Sequence, residues 1–400
     1  MSLLAKSLSN IKPSPTIAVA GKASELKAQG FDIISLGMGE PDFDTPENIK
    51  QAGIKAIQNG ETKYTAVDGT PALKKAIIAK LKRENNLEYK ISEISVSTGA
   101  KQVIYNALIA TLNPEDEVII PAPYWVSYPD MVLLGSGVPV IAESFEKDNF
   151  KISPRELESK ITKKTKWLIL NSPSNPTGAC YSESELRALA DVLLRHPQVH
   201  ILSDDIYEHL IFDDLKFATI ASVEPKLKER TLVVNGVSKS YAMTGWRIGF
   251  GAGPEKLIKA MGIIQSQSTS CPSSISQSAA LEAYNGTQEF IKPNAILFQK
   301  RRDMVVEMLN KIDGINCNNP NGAFYVFPSC KGLYGKKTPK GQEIKNDNDF
   351  ATYLLEEALV AVVPGVAFGA EGFFRISYAA SDEFLRNSMQ RITDACAKLK

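Results

Sequence analysis

The chain has 400 residues, 44% of them hydrophobic and 23% charged, and its 46 Lys and Arg against 45 Asp and Glu leave a formal net charge of +1. This composition excludes disordered, collagen-like and membrane-spanning classes, and the charge balance offers no general attraction to nucleic acid or an acidic membrane, so neither is expected as a partner. A single core usually stops growing near ~300 residues, which predicts two lobes.

The first thirty residues carry no apolar core of signal-peptide length, and no stretch reaches ~18 uninterrupted apolar residues, so a cytoplasmic protein is expected. The first forty-odd residues contain a helical segment and a strand-like run at 32–36. Short β-branched or apolar runs then recur at 94–96, 117–120, 166–170, 200–202 and 231–234. Each precedes a polar turn and usually a helical pattern, which predicts an α/β fold with a mainly parallel sheet and crossover helices. SESELRALADVLLRH at 182–196 illustrates the helices: Ser182 can cap it, Glu185 completes a capping box and Pro197 ends it. After Gly286 the texture changes to an amphipathic stretch at 289–312, then GAFYVFPS, a polar loop at 336–349, another helix, VAVVPG, FFRISYAA and a final helix. This reads as a smaller α+β lobe onto which the amino-terminal segment folds back. The expected boundaries fall near Asn48 and Gly286, giving a large domain at 48–286 and a small one formed by 1–47 and 287–400.

Five cysteines without a CxxC pair, an odd number, read as reduced thiols. Three histidines without HExxH or a Cys/His cluster leave little from which to build a metal centre or a His-based triad, so no metal is expected.

In open α/β sheets ligands bind beyond the carboxyl ends of the strands, so the residues after each run matter most. Ser97-Thr98-Gly99-Ala100-Lys101 places small residues at a helix start, where free N–H groups suit a phosphate, although a structural turn would look the same. Pro121 to Trp125 puts an indole at the sheet edge, fit to stack on a flat ring or to fill the core. Asn171 to Gly178 is a rigid turn that fixes the amide of Asn175. Asp204 and Asp205 end the next run, where a buried carboxylate needs a cation or several donors unless it merely caps a helix. Lys239 follows the last run among small and apolar neighbours, where desolvation would make its amine nucleophilic. Together these are the parts that hold pyridoxal phosphate: phosphate nest, stacking ring, phenolate partner, pyridinium partner and Schiff-base amine. Arg247 can add a cation to the phosphate.

The whole chain resembles the class I aminotransferases of the fold-type I pyridoxal phosphate enzymes, and most of all the bacterial aspartate aminotransferase branch that includes aspartate/prephenate aminotransferases. KPSPTIAV, GMGEPDFDTP, KYTAVDGTPALKKAI, STGAKQ, PAPYWVSYPDM, NSPSNPTG, SDDIYEHL, VNGVSKSYAMTGWRIGFGAG, NGAFYVFP and FRISYA stand in the family's order. The resemblance implies that Lys239 bonds the cofactor and shuttles the proton, that Asp204 partners the pyridine nitrogen, and that Tyr207 and Asn175 partner the ring oxygen. Gly99, Ala100 and Arg247 would hold the phosphate and Trp125 would stack on the ring and touch the substrate. Gly39 and Arg375 would bind the substrate α-carboxylate. Tyr64 would reach the cofactor phosphate of the other subunit, implying a homodimer with shared sites. Gly236 departs from the better-known branch, which carries a phosphate-binding serine there.

The implied reaction is ping-pong transamination between amino acids and 2-oxo acids, with L-aspartate and 2-oxoglutarate giving oxaloacetate and L-glutamate, and prephenate giving arogenate. Lys101, Thr16 and Lys12 match positions the family associates with acidic substrates and prephenate; Lys101 could instead serve the phosphate. Other chemistry on the same scaffold, such as a β-lyase or an aromatic aminotransferase, is the alternative. A non-catalytic ligand sensor is not expected, because Lys239 and Arg375 are both present and no DNA-binding extension precedes Gly39, and GFGAG at 249–253 lacks the GxGxxG spacing of a dehydrogenase.

Overall fold

The computed structural model describes residues 3–11 and 13–400; Lys12 lies outside the described residues. A short strand β1 (Ile34–Ser35) precedes the seven strands of the central sheet: β2 (Ile94–Ser97), β3 (Glu117–Ala122), β4 (Val138–Glu143), β5 (Thr165–Asn171), β6 (His200–Asp204), β7 (Thr231–Gly236) and β8 (Gly249–Ala252). Their order is β2-β8-β7-β6-β5-β3-β4, with β8 antiparallel to both neighbours and every other pair parallel. The fold is therefore α/β with the mainly parallel sheet that the recurring strand runs predict.

Alternation along the strands supplies two apolar faces. Val118, Ile120, Trp167 and Ile169 pack toward the helices Ala100–Thr111 and Ser127–Leu134, whereas Ile119, Leu168 and Leu170 pack toward Glu183–Leu194. The last helix is fixed by the expected capping box: Ser182 N–H donates to Glu185 Oε2 at 2.7 Å, and Glu185 N–H donates to Ser182 Oγ at 3.3 Å. Strand β8 escapes a search for β-branched runs because it reads Gly-Phe-Gly-Ala. The reason is packing: a Cβ on Gly251 would lie 2.8 Å from Val103 Cγ1 of the helix Ala100–Thr111, so that helix rests on nearly bare backbone.

A second group of strands, β9 (Tyr325–Val326), β10 (Val360–Ala361), β11 (Val363–Pro364) and β12 (Phe374–Ser377), packs with the helices Ile291–Leu309 and Asp382–Ala397. Strands β11, β12 and β9 form an antiparallel sheet, while β1 returns to pair in parallel with β10. The polar segment at 336–349 is not loop throughout, since the helix Asp347–Tyr353 starts within it. Its polar residues serve the helix: Asn346 caps by accepting from Asp349 N–H at 2.9 Å, and fully buried Asp347 accepts from Val366 N–H at 2.7 Å. Among the described residues no helix is long and apolar enough to cross a membrane.

Candidate active site

The carboxyl ends of β2, β3, β5, β6 and β7 face the β9–β12 group across a cleft of about 440 Å³. At the end of β2, Gly99 caps the helix Ala100–Thr111 with φ +84°, a conformation that side chains rarely adopt. A Cβ there would also run into the Arg247 guanidinium, so the glycine leaves room for a cation beside the free N–H groups of the helix start. Arg247 donates to Thr244 O at 2.9 Å and, with Ala100, lines the cleft.

Beyond β3, half-buried Trp125 stands edge to face with Tyr128, ring centroids 5.2 Å apart. Lys101 Nζ lies 4.8 Å from the centre of the Trp125 ring, and burial together with Arg247 pulls its amine below the usual lysine range. After β5, Asn171 Oδ1 accepts from Asn175 N–H at 2.8 Å and so ties the turn to its strand. The Asn175 amide oxygen in turn accepts from Arg375 Nη1 at 2.8 Å.

Strand β6 ends in two buried aspartates with separate surroundings. Asp204 lines the cleft, where Tyr128 donates to its Oδ2 at 2.6 Å; burial raises its carboxyl to about 6, and the Tyr128 bond opposes that rise. Asp205 accepts from Ser203 Oγ at 2.7 Å and is not among the cleft residues, and burial pushes its carboxyl well up. Tyr207, also buried, shares a hydrogen bond with Tyr325 at 2.9 Å.

Lys239, after β7, donates from Nζ to Gly39 O at 2.6 Å. Desolvation first, then Arg247 and Arg375, bring its amine down to about 8. Arg375 on β12 is buried, donates to Gly37 O at 2.5 Å, and packs its guanidinium 4.6 Å from the Tyr325 ring centre and 5.0 Å from that of Phe368. Its Nε has no partner among the described residues, which leaves donor capacity for an anion. Thr16 also reaches the cleft wall. Tyr64 does not: it is 92% exposed and stands outside the cleft.

Tyr128 and Tyr325 are cleft residues to which the sequence reading assigned no role. Tyr128 had a signal in its position three residues after Trp125 in PYWVSY, and Tyr325 lies in GAFYVFP. A group of possible metal ligands outside the cleft, Glu84, Glu208 and His209, is bridged by the Lys80 ammonium, which contacts both carboxylates.

The cleft thus combines a shielded amine, a buried carboxyl, an indole, an amide, a phenol and a helix start backed by arginine. Such a set can hold a flat heteroaromatic ring bearing a phosphate, with Arg375 left for a carboxylate. The fold is that of an α/β transferase. The chain belongs to the class I and II aminotransferase family, whose model matches residues 32–392. It is 60% identical over 399 residues to the aspartate/prephenate aminotransferase of Cereibacter sphaeroides, covering 100% of both chains. The crystal structure of the aspartate aminotransferase from Rhizobium meliloti superposes with a TM-score of 0.97 at 55% identity, covering 100% of both chains. The Thermus thermophilus aspartate aminotransferase with maleate gives a TM-score of 0.92 at 41% identity, covering 99% of this chain and 100% of the other.

Proposed function

We propose that the chain is a pyridoxal 5'-phosphate-dependent aspartate aminotransferase, exchanging the amino group between L-aspartate and 2-oxoglutarate to give oxaloacetate and L-glutamate, with prephenate as a further acceptor giving arogenate. The observation that carries this reading is the convergence of Lys239, its amine brought down to about 8, with the Asp204 carboxyl and the Arg375 guanidinium on one cleft. Bound there, pyridoxal phosphate supplies an aldehyde that condenses with amines and a pyridinium ring that accepts the electron pair released at the substrate Cα.

The chain's own groups do the rest. Asp204 holds the proton on the pyridine nitrogen, and Tyr128 fixes one oxygen of that carboxyl. Asn175 and Tyr207 would donate to the ring oxygen, Trp125 would cover a ring face, and Gly99, Ala100 and Arg247 would hold the phosphate. Arg375 clamps the substrate α-carboxylate with two parallel bonds, assisted by the Gly39 N–H. Lys239 Nζ, close enough to its free-amine range to act near neutral pH, takes the Cα proton.

Acidic specificity is assigned to Lys101, with Thr16 lining the same cleft and Lys12 as a further cation. The names of the Cereibacter and Rhizobium relatives and the maleate, a four-carbon dicarboxylate, in the Thermus structure support this choice. Tyr64, exposed in the single chain, is read as a contribution to the partner's phosphate site, which makes the active unit a homodimer. The chain is read as a large domain at 48–286 and a small one at 1–47 and 287–400; the pairing of β1 with β10 supports joining the two chain ends. Five free cysteines favour a cytoplasmic setting.

The test is the absorbance spectrum of the purified protein, followed on separate addition of aspartate, glutamate and prephenate's amino product. A visible band bleached by aspartate and glutamate is expected. Absence of any cofactor band after loading with pyridoxal phosphate would overturn the reading.

A further inference from the structure

Tyr207 and Tyr325 come from opposite sides of the cleft, one following β6 and the other on β9, and their hydroxyls meet at 2.9 Å. Each phenol has one proton to give and lone pairs to accept with, so a pair of hydroxyls sharing one bond leaves one proton uncommitted. Which tyrosine keeps it decides what the cleft offers a ligand. If Tyr207 gives its proton to Tyr325, it meets the ligand with a lone pair alone; if Tyr325 gives, the Tyr207 proton stays available.

Two features favour the second arrangement. Among the described residues each hydroxyl has only the other as hydrogen-bond partner, but a Cβ on Gly39 would run into Tyr325 Oη and lie 3.3 Å from its Cζ, so the backbone of the 37–39 segment closes over the Tyr325 end of the pair and leaves its proton no acceptor but Tyr207. The Arg375 guanidinium also sits 4.6 Å from the Tyr325 ring centre, nearer than the Lys239 ammonium stands to the Tyr207 ring at 5.8 Å, and the nearer cation draws more density from its ring and makes the Tyr325 hydroxyl the better donor.

The geometry points to Tyr325 as a positioning residue that donates its hydroxyl proton to Tyr207 and thereby keeps the Tyr207 proton directed at the oxygen of the bound ring. This inference rests on the proposed pyridoxal phosphate site. It gives Tyr325 no contact with the reacting atoms; it acts through Tyr207. Its consequence is that the acidity of the lysine-bound cofactor, set by how well the ring oxygen is stabilised, depends on a hydroxyl from the far side of the cleft.

The test is a pH titration of the visible cofactor band of the holoenzyme in wild type, Tyr325→Phe, Tyr207→Phe and the double variant. Tyr325→Phe retains the ring on which Arg375 packs and removes only the hydroxyl. An upward shift of the midpoint by about half to one pH unit is expected, the scale of one neutral hydrogen bond. In the Tyr207→Phe background the same change should move the midpoint little, because the two hydroxyls act as one unit. A downward shift would show that Tyr207 is the donor and would overturn the inference, as would an equal shift in both backgrounds or none in either. A wild-type protein with no titrating band would instead remove the cofactor reading itself.

Discussion

Tyr128 Oη lies 2.6 Å from Asp204 Oδ2 and donates to it, so one oxygen of the carboxyl at the end of β6 is already engaged by a phenol from the helix Ser127–Leu134. Among the described residues the remaining oxygen is held only by a long 3.4 Å bond from the Ile206 N–H. The carboxyl is thus oriented from behind while keeping capacity for a cationic partner in the cleft, whereas Asp205 next to it, held by Ser203 Oγ, does not line the cleft.

Asp204 should therefore govern both turnover and the pH response of stability. Burial raises its carboxyl to about 6, above the ordinary value of about 3.9. Between those values the folded, cofactor-free chain keeps a proton that the unfolded chain has lost, so stability falls as pH rises through that window and the loss stays complete above it. The gap corresponds to about 3 kcal/mol. Asp204→Asn should gain on wild type as pH rises from about 4 to 6 in denaturant titrations, yet lose turnover by several orders of magnitude. A stability difference independent of pH, or greater loss of turnover in Asp205→Asn, would contradict the assignment.

Lys239 should be the residue to which cofactor becomes permanently attached on borohydride reduction, and Lys239→Ala should abolish that attachment. Peptide mapping checks this directly. An adduct on any other lysine would displace Lys239 from its role.

Lys101→Ser should lower kcat/KM for aspartate roughly 10- to 150-fold, the range of one charge-assisted bond, while changing alanine and phenylalanine far less. Its placement over Trp125 and near Arg247 makes the outcome decisive. Equal losses for all amino acids, with weaker cofactor binding, would assign the lysine to the phosphate.

Tyr64 sets the test of assembly. Mixed subunits of Lys239→Ala and Tyr64→Phe should recover activity, because a hybrid holds one undamaged site if Tyr64 serves the partner. A monomer with full activity in sedimentation and assay at the same concentration would refute shared sites.

Much of this was legible in the sequence because strand ends in a parallel sheet collect function. The runs at 117–120, 166–170, 200–202 and 231–234 are apolar on both faces, so the polar residues that follow them stand out. Lys239, Asp204 and Asn175 were found that way. Strand β8 was hidden because a crossing helix demands glycines where a strand usually carries branched side chains. The helix Asp347–Tyr353 was hidden because its apparently loop-like polar residues are a cap and a buried clamp. Tyr128 and Tyr325 carry no spacing rule: their meaning comes from partners 76 and 118 residues away in the chain.

The backbone segment around Met38 has a further consequence. Gly37 O accepts from Arg375 and Gly39 O accepts from Lys239, so a single stretch of main chain engages two of the cations that line the cleft. A carboxylate, as an acceptor, could replace Gly37 O at the arginine, and an ammonium, as a donor, could replace the lysine at Gly39 O. An α-amino acid carries both groups on one carbon and could meet both positions together. On the proposed reading, entry of a substrate would then exchange two main-chain bonds for two of its own, so the 37–39 backbone would bear on the common part of every amino acid and not on its side chain.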